Sequence, residues 1–103
     1  IRRNGEIIQF VPCTLRAWHA GISCWQERPR CNDFSIGIEL EGSDNQPFEL
    51  MQYNRLIELT RAIQAAYPVS DIVGHADIAP QRKTDPGPYF DWQNYRQALE
   101  TNR

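Results

Sequence analysis

Between positions 35 and 41 polar and apolar residues alternate strictly. Ile36, Ile38 and Leu40 fall on one face, and Ser35, Gly37, Glu39 and Glu41 on the other. A period of two predicts a strand whose apolar face packs inward. Gly42-Ser43-Asp44-Asn45 then breaks it. From 49 to 67 the rhythm changes: Leu50, Tyr53, Leu56, Ile57, Thr60, Ile63 and Tyr67 recur at steps of three and four. That spacing predicts a helix, which Pro68 stops. Asp71-Ile72-Val73-Gly74-His75 is too short for a helix and predicts a strand ending at a histidine. After Asp91, a good N-cap, Trp92, Tyr95 and Leu99 predict a second helix.

The first eleven residues predict a hairpin, with Asn4-Gly5 as a type I′ turn and Glu6 to Val11 as its second arm, ended by Pro12. From Cys13 to Phe34 no period is sustained, and recurring Gly, Pro, Ser and Asn predict a long loop, the kind of segment that often carries function. Trp18 and Trp25 within it either cover a core edge or contact a ligand. Strands interleaved with helices predict an α/β or α+β domain with helices packed on a sheet. No repeat or linker divides residues 1–103, so a single domain is expected.

Composition narrows the function classes. The chain has 103 residues, 11 basic and 13 acidic, for a net charge of −2. No basic field exists to hold nucleic acid or an anionic membrane, and no apolar run approaches the roughly 20 residues of a spanning helix. No signal peptide is visible. The only methionine is Met51 and the chain opens at Ile1, so part of a longer protein or a processed product is expected. Cys13, Cys24 and Cys31 lack the Cys-x-x-Cys spacing of a metal knuckle or a redox motif. Three reduced thiols in a cytosolic protein, or one disulfide with one thiol left over, both fit.

The most informative stretch runs from Gly74 to Pro88. A histidine at a strand end and a proline-stiffened loop carrying Lys83 and Asp85 can converge on one point. Imidazole and carboxylate are good Zn²⁺ ligands, although His75 can equally serve as a hydrogen-bonding residue at a strand end. Glu39 and Glu41 project from one strand face roughly 7 Å apart. They are either solvated or the spaced carboxylates of an inverting glycosidase.

Gly74-His75-x-Asp77-Ile78-Ala79-Pro80-x-Arg82-Lys83-x-Asp85-Pro86-Gly87 resembles the zinc-loop signature of the AmpD family, the cytosolic 1,6-anhydro-N-acetylmuramyl-L-alanine amidases. Arg16-Ala17-Trp18-His19-Ala20-Gly21, the run from Cys31 to Gly42, and Asp91-Trp92 are similar to further family segments in the same order. The resemblance covers nearly the whole chain. It implies the amidase fold shared with phage lysozyme amidases and peptidoglycan recognition proteins, a mixed central β-sheet flanked by helices, with residues 1–103 as the C-terminal portion of one domain. It implies hydrolysis of the amide between the lactyl group of anhydromuramic acid and L-alanine, in the cytoplasm, during recycling of cell-wall muropeptides.

Residue by residue, the resemblance implies His75 and Asp85 as zinc ligands, Glu39 as the general base and Lys83 as the oxyanion stabiliser. It implies that Trp18, Arg30 and Ala79 line the muropeptide site, with Arg30 suited to a peptide carboxylate. The family's third zinc ligand is a histidine upstream of the position matching Ile1, and His19 matches a family histidine that is not a ligand. A monomer acting on small anhydromuropeptides, without nucleic acid or membrane, is expected. Two rival readings stand beside it: a zinc-free peptidoglycan-binding module, and a glycosidase using Glu39 and Glu41.

Overall fold

The helical rhythm between 49 and 67 becomes α1, Leu50–Ala66, in a computed structural model that describes residues 1–101. Its first turn is closed by Gln52, whose side-chain oxygen accepts the Glu49 N–H at 2.9 Å. The same buried amide donates to the Glu41 carbonyl at 2.8 Å and to the Ile1 carbonyl at 3.3 Å. One glutamine therefore satisfies an orphan helix end and ties α1 to two extended segments. Leu56 and Thr60 are buried, while Leu50, at the first position of the helix, stays 73% exposed.

The helix predicted after Asp91 forms as α3, Trp92–Thr101. The Asp91 carboxylate accepts the Asn94 N–H at 3.0 Å, as an N-cap should. α1 and α3 meet through a buried pair, Thr60 Oγ1 and Tyr95 Oη at 2.7 Å, and through Arg61, which donates to the Ala98 carbonyl. The core gathers Leu56, Phe90 and Tyr95, with Ile1, Leu40, Phe48, Tyr53, Ile72 and Trp92 packed around them. Phe90 sits at its centre, edge-on to Phe48, Trp92 and Tyr95 and stacked on Tyr53, its four ring neighbours lying 4.8–6.0 Å away. Such offset and T-shaped contacts suit aromatic quadrupoles.

Neither predicted strand forms: residues 35–41 are irregular, and so are residues 71–74. Residues 35–41 meet one neighbour: the Ile1 amino group donates to the Glu39 carbonyl, and the Glu41 N–H donates to the Ile1 carbonyl at 2.9 Å. That pattern is a parallel rung centred on Leu40. Leu40 alone of the apolar face reaches the core; Ile36 and Ile38 remain 41% and 37% exposed, against the expectation of an inward face. Residues 71–74 form no strand, and His75 opens a one-turn helix, α2, His75–Ile78, instead of ending one. Four residues carry no period, so that turn had no signal.

Of the hairpin predicted over residues 1–11 only the turn forms, since no strand follows it over residues 6–11. Only Gly5 of the pair Asn4-Gly5 is left-handed, at φ 89°. The Gly5 N–H donates to the Arg2 carbonyl, the Arg2 N–H to the Glu6 carbonyl, and the Asn4 side chain accepts the Glu6 N–H. This is a three-residue loop with glycine at its left-handed position, and the asparagine serves as an acceptor within it. The two-residue hairpin lies elsewhere, between β1, Cys24–Trp25, and β2, Arg28–Pro29, which pair antiparallel around Gln26 and Glu27 at φ 50° and 67°. This two-stranded hairpin is the only β-sheet among the described residues. All three cysteines are free thiols, and only Cys31 is buried.

Candidate functional site

His75 is fixed from both sides. Its Nε2 lies 2.9 Å from the Ala20 carbonyl, and its Nδ1 lies 3.2 Å from Asp85 Oδ2. A carbonyl oxygen only accepts, so Nε2 carries the hydrogen. The lone pair of Nδ1 then faces a carboxylate oxygen. Two acceptors at that distance need a cation between them, either a proton or a metal ion. The loop geometry behind the pair is local: Gly74 N–H donates to the Asp77 carboxylate at 2.7 Å, and Ala76 N–H donates to the Asp85 carbonyl at 3.0 Å. Asp85 is thereby held against the first turn of α2.

The loop after α2 folds back on itself. Arg82 and Lys83 both donate their backbone N–H to the carbonyl of buried Ala79, which makes Ala79 the hub of the turn. Arg82 reaches across to a different segment, donating to the Ala20 carbonyl and, at 3.0 Å, to the Ile22 carbonyl. Thr84 donates to the Asp44 carboxylate on the opposite side. Among the described residues the Lys83 ammonium has no hydrogen-bond or ion-pair partner, and neither has the Glu39 carboxylate.

A surface pocket of about 710 Å³ opens beside this loop, lined by Arg16, Trp18, Gly21, Arg30, Asn32 and Asp33 among others. Trp18 and Arg30 thus share one cavity, as expected for residues facing a common ligand. Trp18 is 80% exposed, so it does not cover a core edge. Arg16 lies over the Trp18 ring at 5.4 Å and pairs with Asp33 at 3.1 Å, whereas Arg30 has no ion-pair partner among the described residues and its charge is open to a ligand. Ala79 is not in the pocket lining.

His19 connects the strand face to this region. Its Nε2 lies 3.2 Å from Ser35 Oγ, and a Cβ on Gly37 would meet its Nδ1 at 2.5 Å, so only glycine admits the ring. Burial lowers the His19 pKa, the Ser35 hydrogen bond opposes that shift, and the nearby charge of His75 adds to it. Ser35, Gly37 and Glu39 share one face by alternation, so the His19 side of the segment is also the Glu39 side. The sequence reading matched His19 to a family histidine that is not a zinc ligand; its contact with Gly37 needed coordinates. Glu41 differs from Glu39 in that its carboxylate accepts the Arg3 N–H at 2.8 Å.

His75 and Asp85 are the residues able to hold a metal ion. Among the described residues no three His, Cys, Asp or Glu side chains converge on one point. Expected site residues therefore fall into three places: the His75–Asp85 pair with Ala79 and Lys83 on the adjoining loop, the Trp18–Arg30 pocket, and Glu39 on the extended segment.

Comparison with known proteins shows the family and the fold. The N-acetylmuramoyl-L-alanine amidase family matches residues 1–88. The chain is 55% identical over 104 residues to the 1,6-anhydro-N-acetylmuramyl-L-alanine amidase AmpD of Enterobacter cloacae, covering 99% of this chain and 56% of that protein. It is 50% identical over 109 residues to the N-acetylmuramoyl-L-alanine amidase AmiD of Escherichia coli, covering 93% of this chain and 40% of the relative. The chain thus spans about half the length of the curated relatives it matches. A crystal structure of a selenomethionine AmpD derivative superposes with a TM-score of 0.91 at 54% identity, over 94% of this chain and 55% of the other. The complex of Escherichia coli AmiD with anhydro-N-acetylmuramic acid-L-Ala-D-γ-Glu-L-Lys superposes with a TM-score of 0.86 at 49% identity, over 90% of this chain and 40% of the other. The fold is that of these amidases. With the motif loop, the pocket and the fold in agreement, the chain belongs to the N-acetylmuramoyl-L-alanine amidase family.

Proposed function

We propose that this chain carries the reaction centre of a zinc-dependent amidase that cleaves the amide between the lactyl group of (1,6-anhydro-)N-acetylmuramic acid and L-alanine, in cytosolic recycling of muropeptides. The supporting observation is the His75–Asp85 pair, with its ring tautomer fixed by a backbone carbonyl, beside a pocket that presents Trp18 and an unpaired Arg30. No helix among the described residues is long and apolar enough to cross a membrane.

The donor set suits zinc. Zn–N of ~2.0–2.1 Å and Zn–O of ~2.0–2.2 Å at a tetrahedral angle separate two donors by about 3.3–3.4 Å, close to the 3.2 Å between Nδ1 and Oδ2. A histidine ligand commonly gives its other N–H to a backbone carbonyl, which fixes the ring, and Ala20 accepts His75 in that way. His75 and Asp85 would hold the ion, which supplies Lewis acidity for activating water and polarising a carbonyl. Glu39 takes a proton from water and delivers it to the departing L-alanine amine. Lys83 offers its charge to the carbonyl oxygen as that oxygen becomes negative. Arg30 pairs with a peptide carboxylate and Trp18 supplies an apolar wall, so the substrate is held before any bond changes.

Incubation of the protein and zinc with anhydro-N-acetylmuramic acid-L-Ala-D-γ-Glu-L-Lys tests this reading. A new free L-alanine amine, lost on chelation and restored by zinc, is the expected result. A zinc-free binding module, favoured by the absence of a third converging donor among the described residues, would bind the same compound without releasing amine. Chelation-resistant release would remove zinc from the mechanism.

A further inference from the structure

Arg82 belongs to the motif loop, yet none of the roles above uses it. Its guanidinium lies flat against Gly21, where a Cβ would meet Nη2 at 2.6 Å and Cζ at 3.0 Å. Gly21 is left-handed at φ 65°, so both backbone shape and space require glycine there. Nη2 donates to the carbonyls of Ala20 and Ile22, and Nε also donates to Ile22 at 3.3 Å. The Ala20 carbonyl is the same one that accepts His75 Nε2. The Ala20 N–H in turn donates to Asn32 at 2.8 Å, and Asn32, Gly21 and Ile22 line the pocket that holds Trp18 and Arg30.

We propose that Arg82 is a positioning residue that locks the Ala20–Ile22 segment to the His75–Asp85 loop, so that a substrate gripped in the Trp18–Arg30 pocket is set in register with the reacting centre. The inference rests on the proposed amidase reading and adds a specificity role to it. Only a planar fork with several donors spans two carbonyls two positions apart while lying on a glycine face; a lysine ammonium keeps the charge but not that geometry. The lock matters because binding energy from remote parts of a substrate accelerates the reaction only when it is transmitted to the reacting atoms. With the lock released, the pocket still binds peptide but no longer aligns the amide.

The test compares Arg82→Ala and Arg82→Lys with the parent in the full-length protein. Two substrates are used: anhydromuramic acid bearing L-alanine alone, and the same sugar bearing L-Ala-D-γ-Glu-L-Lys. In the parent, the longer peptide should raise kcat/KM. In both variants that preference is expected to fall at least tenfold, mainly through kcat. A general loss of folded protein would lower both substrates equally and leave the preference intact, so an unchanged preference in the variants overturns the proposal. Full preference in Arg82→Lys overturns it as well, because charge alone would then suffice. Amide hydrogen exchange at Ala20–Ser23, which needs no substrate, is measured in parallel and should be at least tenfold faster in Arg82→Ala. If the parent cleaves neither substrate, the amidase reading fails by itself, and unchanged exchange then overturns the lock.

Discussion

Each ring nitrogen of His75 has one partner, and the two partners differ in what they permit. The Ala20 carbonyl only fixes the ring, whereas the Asp85 carboxylate shares with it whatever cation lies between them. Glu39 and Lys83, by contrast, have free side-chain ends among the described residues, which suits groups that must handle a proton and a developing charge. Glu39→Gln in the full-length protein is therefore expected to retain zinc by elemental analysis while kcat falls about 10²-fold or more, the scale of losing a general base. Lys83→Ala should lower kcat more than it raises KM, since its charge is needed mainly in the transition state. A pure KM effect in a steady-state titration would place Lys83 in substrate anchoring instead. At this scale the motif loop was legible: His75 and Asp85, ten positions apart, do meet. Arg82 was not, because an arginine in a loop has no period and its partners lie some sixty residues away.

Elements were legible in proportion to their length. α1 and α3 run close to their expected bounds because each supplies several turns of apolar spacing and a capping residue. α2 and the β1–β2 hairpin were not, since two to four residues carry too few positions for any rhythm. The alternating segment 35–41 predicted a strand that does not form, because alternation says which residues could share a face but supplies no partner strand. Between α2 and α3 the chain is tightly fitted. A Cβ on Gly74 would meet Pro86 Cδ at 2.8 Å and Trp92 Cζ2 at 3.3 Å. Gly74 has an ordinary φ of −86°, so here space and not backbone conformation demands glycine. Gly74→Ala is expected to push Pro86, and with it Asp85, away from His75, lowering zinc affinity tenfold or more with a stability loss of about 1–3 kcal/mol from overpacking. Competitive chelator titration and thermal denaturation read the two effects separately, and unchanged zinc affinity would show that Asp85 is placed independently of Pro86.

On the scale of the whole molecule, the aromatic core around Phe90 and the motif loop are joined where Trp92 backs Gly74. The two sides of the site are joined by Ala20. Two protein donors converge where a catalytic zinc normally has three. A polypeptide of these 103 residues alone is accordingly expected to take up zinc weakly, with well under one equivalent retained after gel filtration. One tightly held equivalent would mean that another group of this chain, His19 foremost, completes the set. The family membership was legible because three long motifs occur in order. The tautomer and the lock were not, because each joins residues from separate stretches of chain.

Three non-glycine residues lie in the left-handed region within five positions, Gln26, Glu27 and Arg30, at φ 50°, 67° and 60°, and of these Arg30 lines the pocket. Each such residue carries roughly 1–2 kcal/mol of backbone strain that glycine would relieve. For an engineer seeking a hardier enzyme, these positions are not equivalent. Gln26 and Glu27 do not line the pocket, so glycine at either is expected to relax the β1–β2 turn while leaving the pocket lining unchanged. Glycine at 30 relaxes the same kind of strain but deletes the one open cation of the pocket. At that position selection for durability and selection for catalysis pull in opposite directions, and a library screened on heat tolerance alone would drift toward well-folded, poorly binding variants.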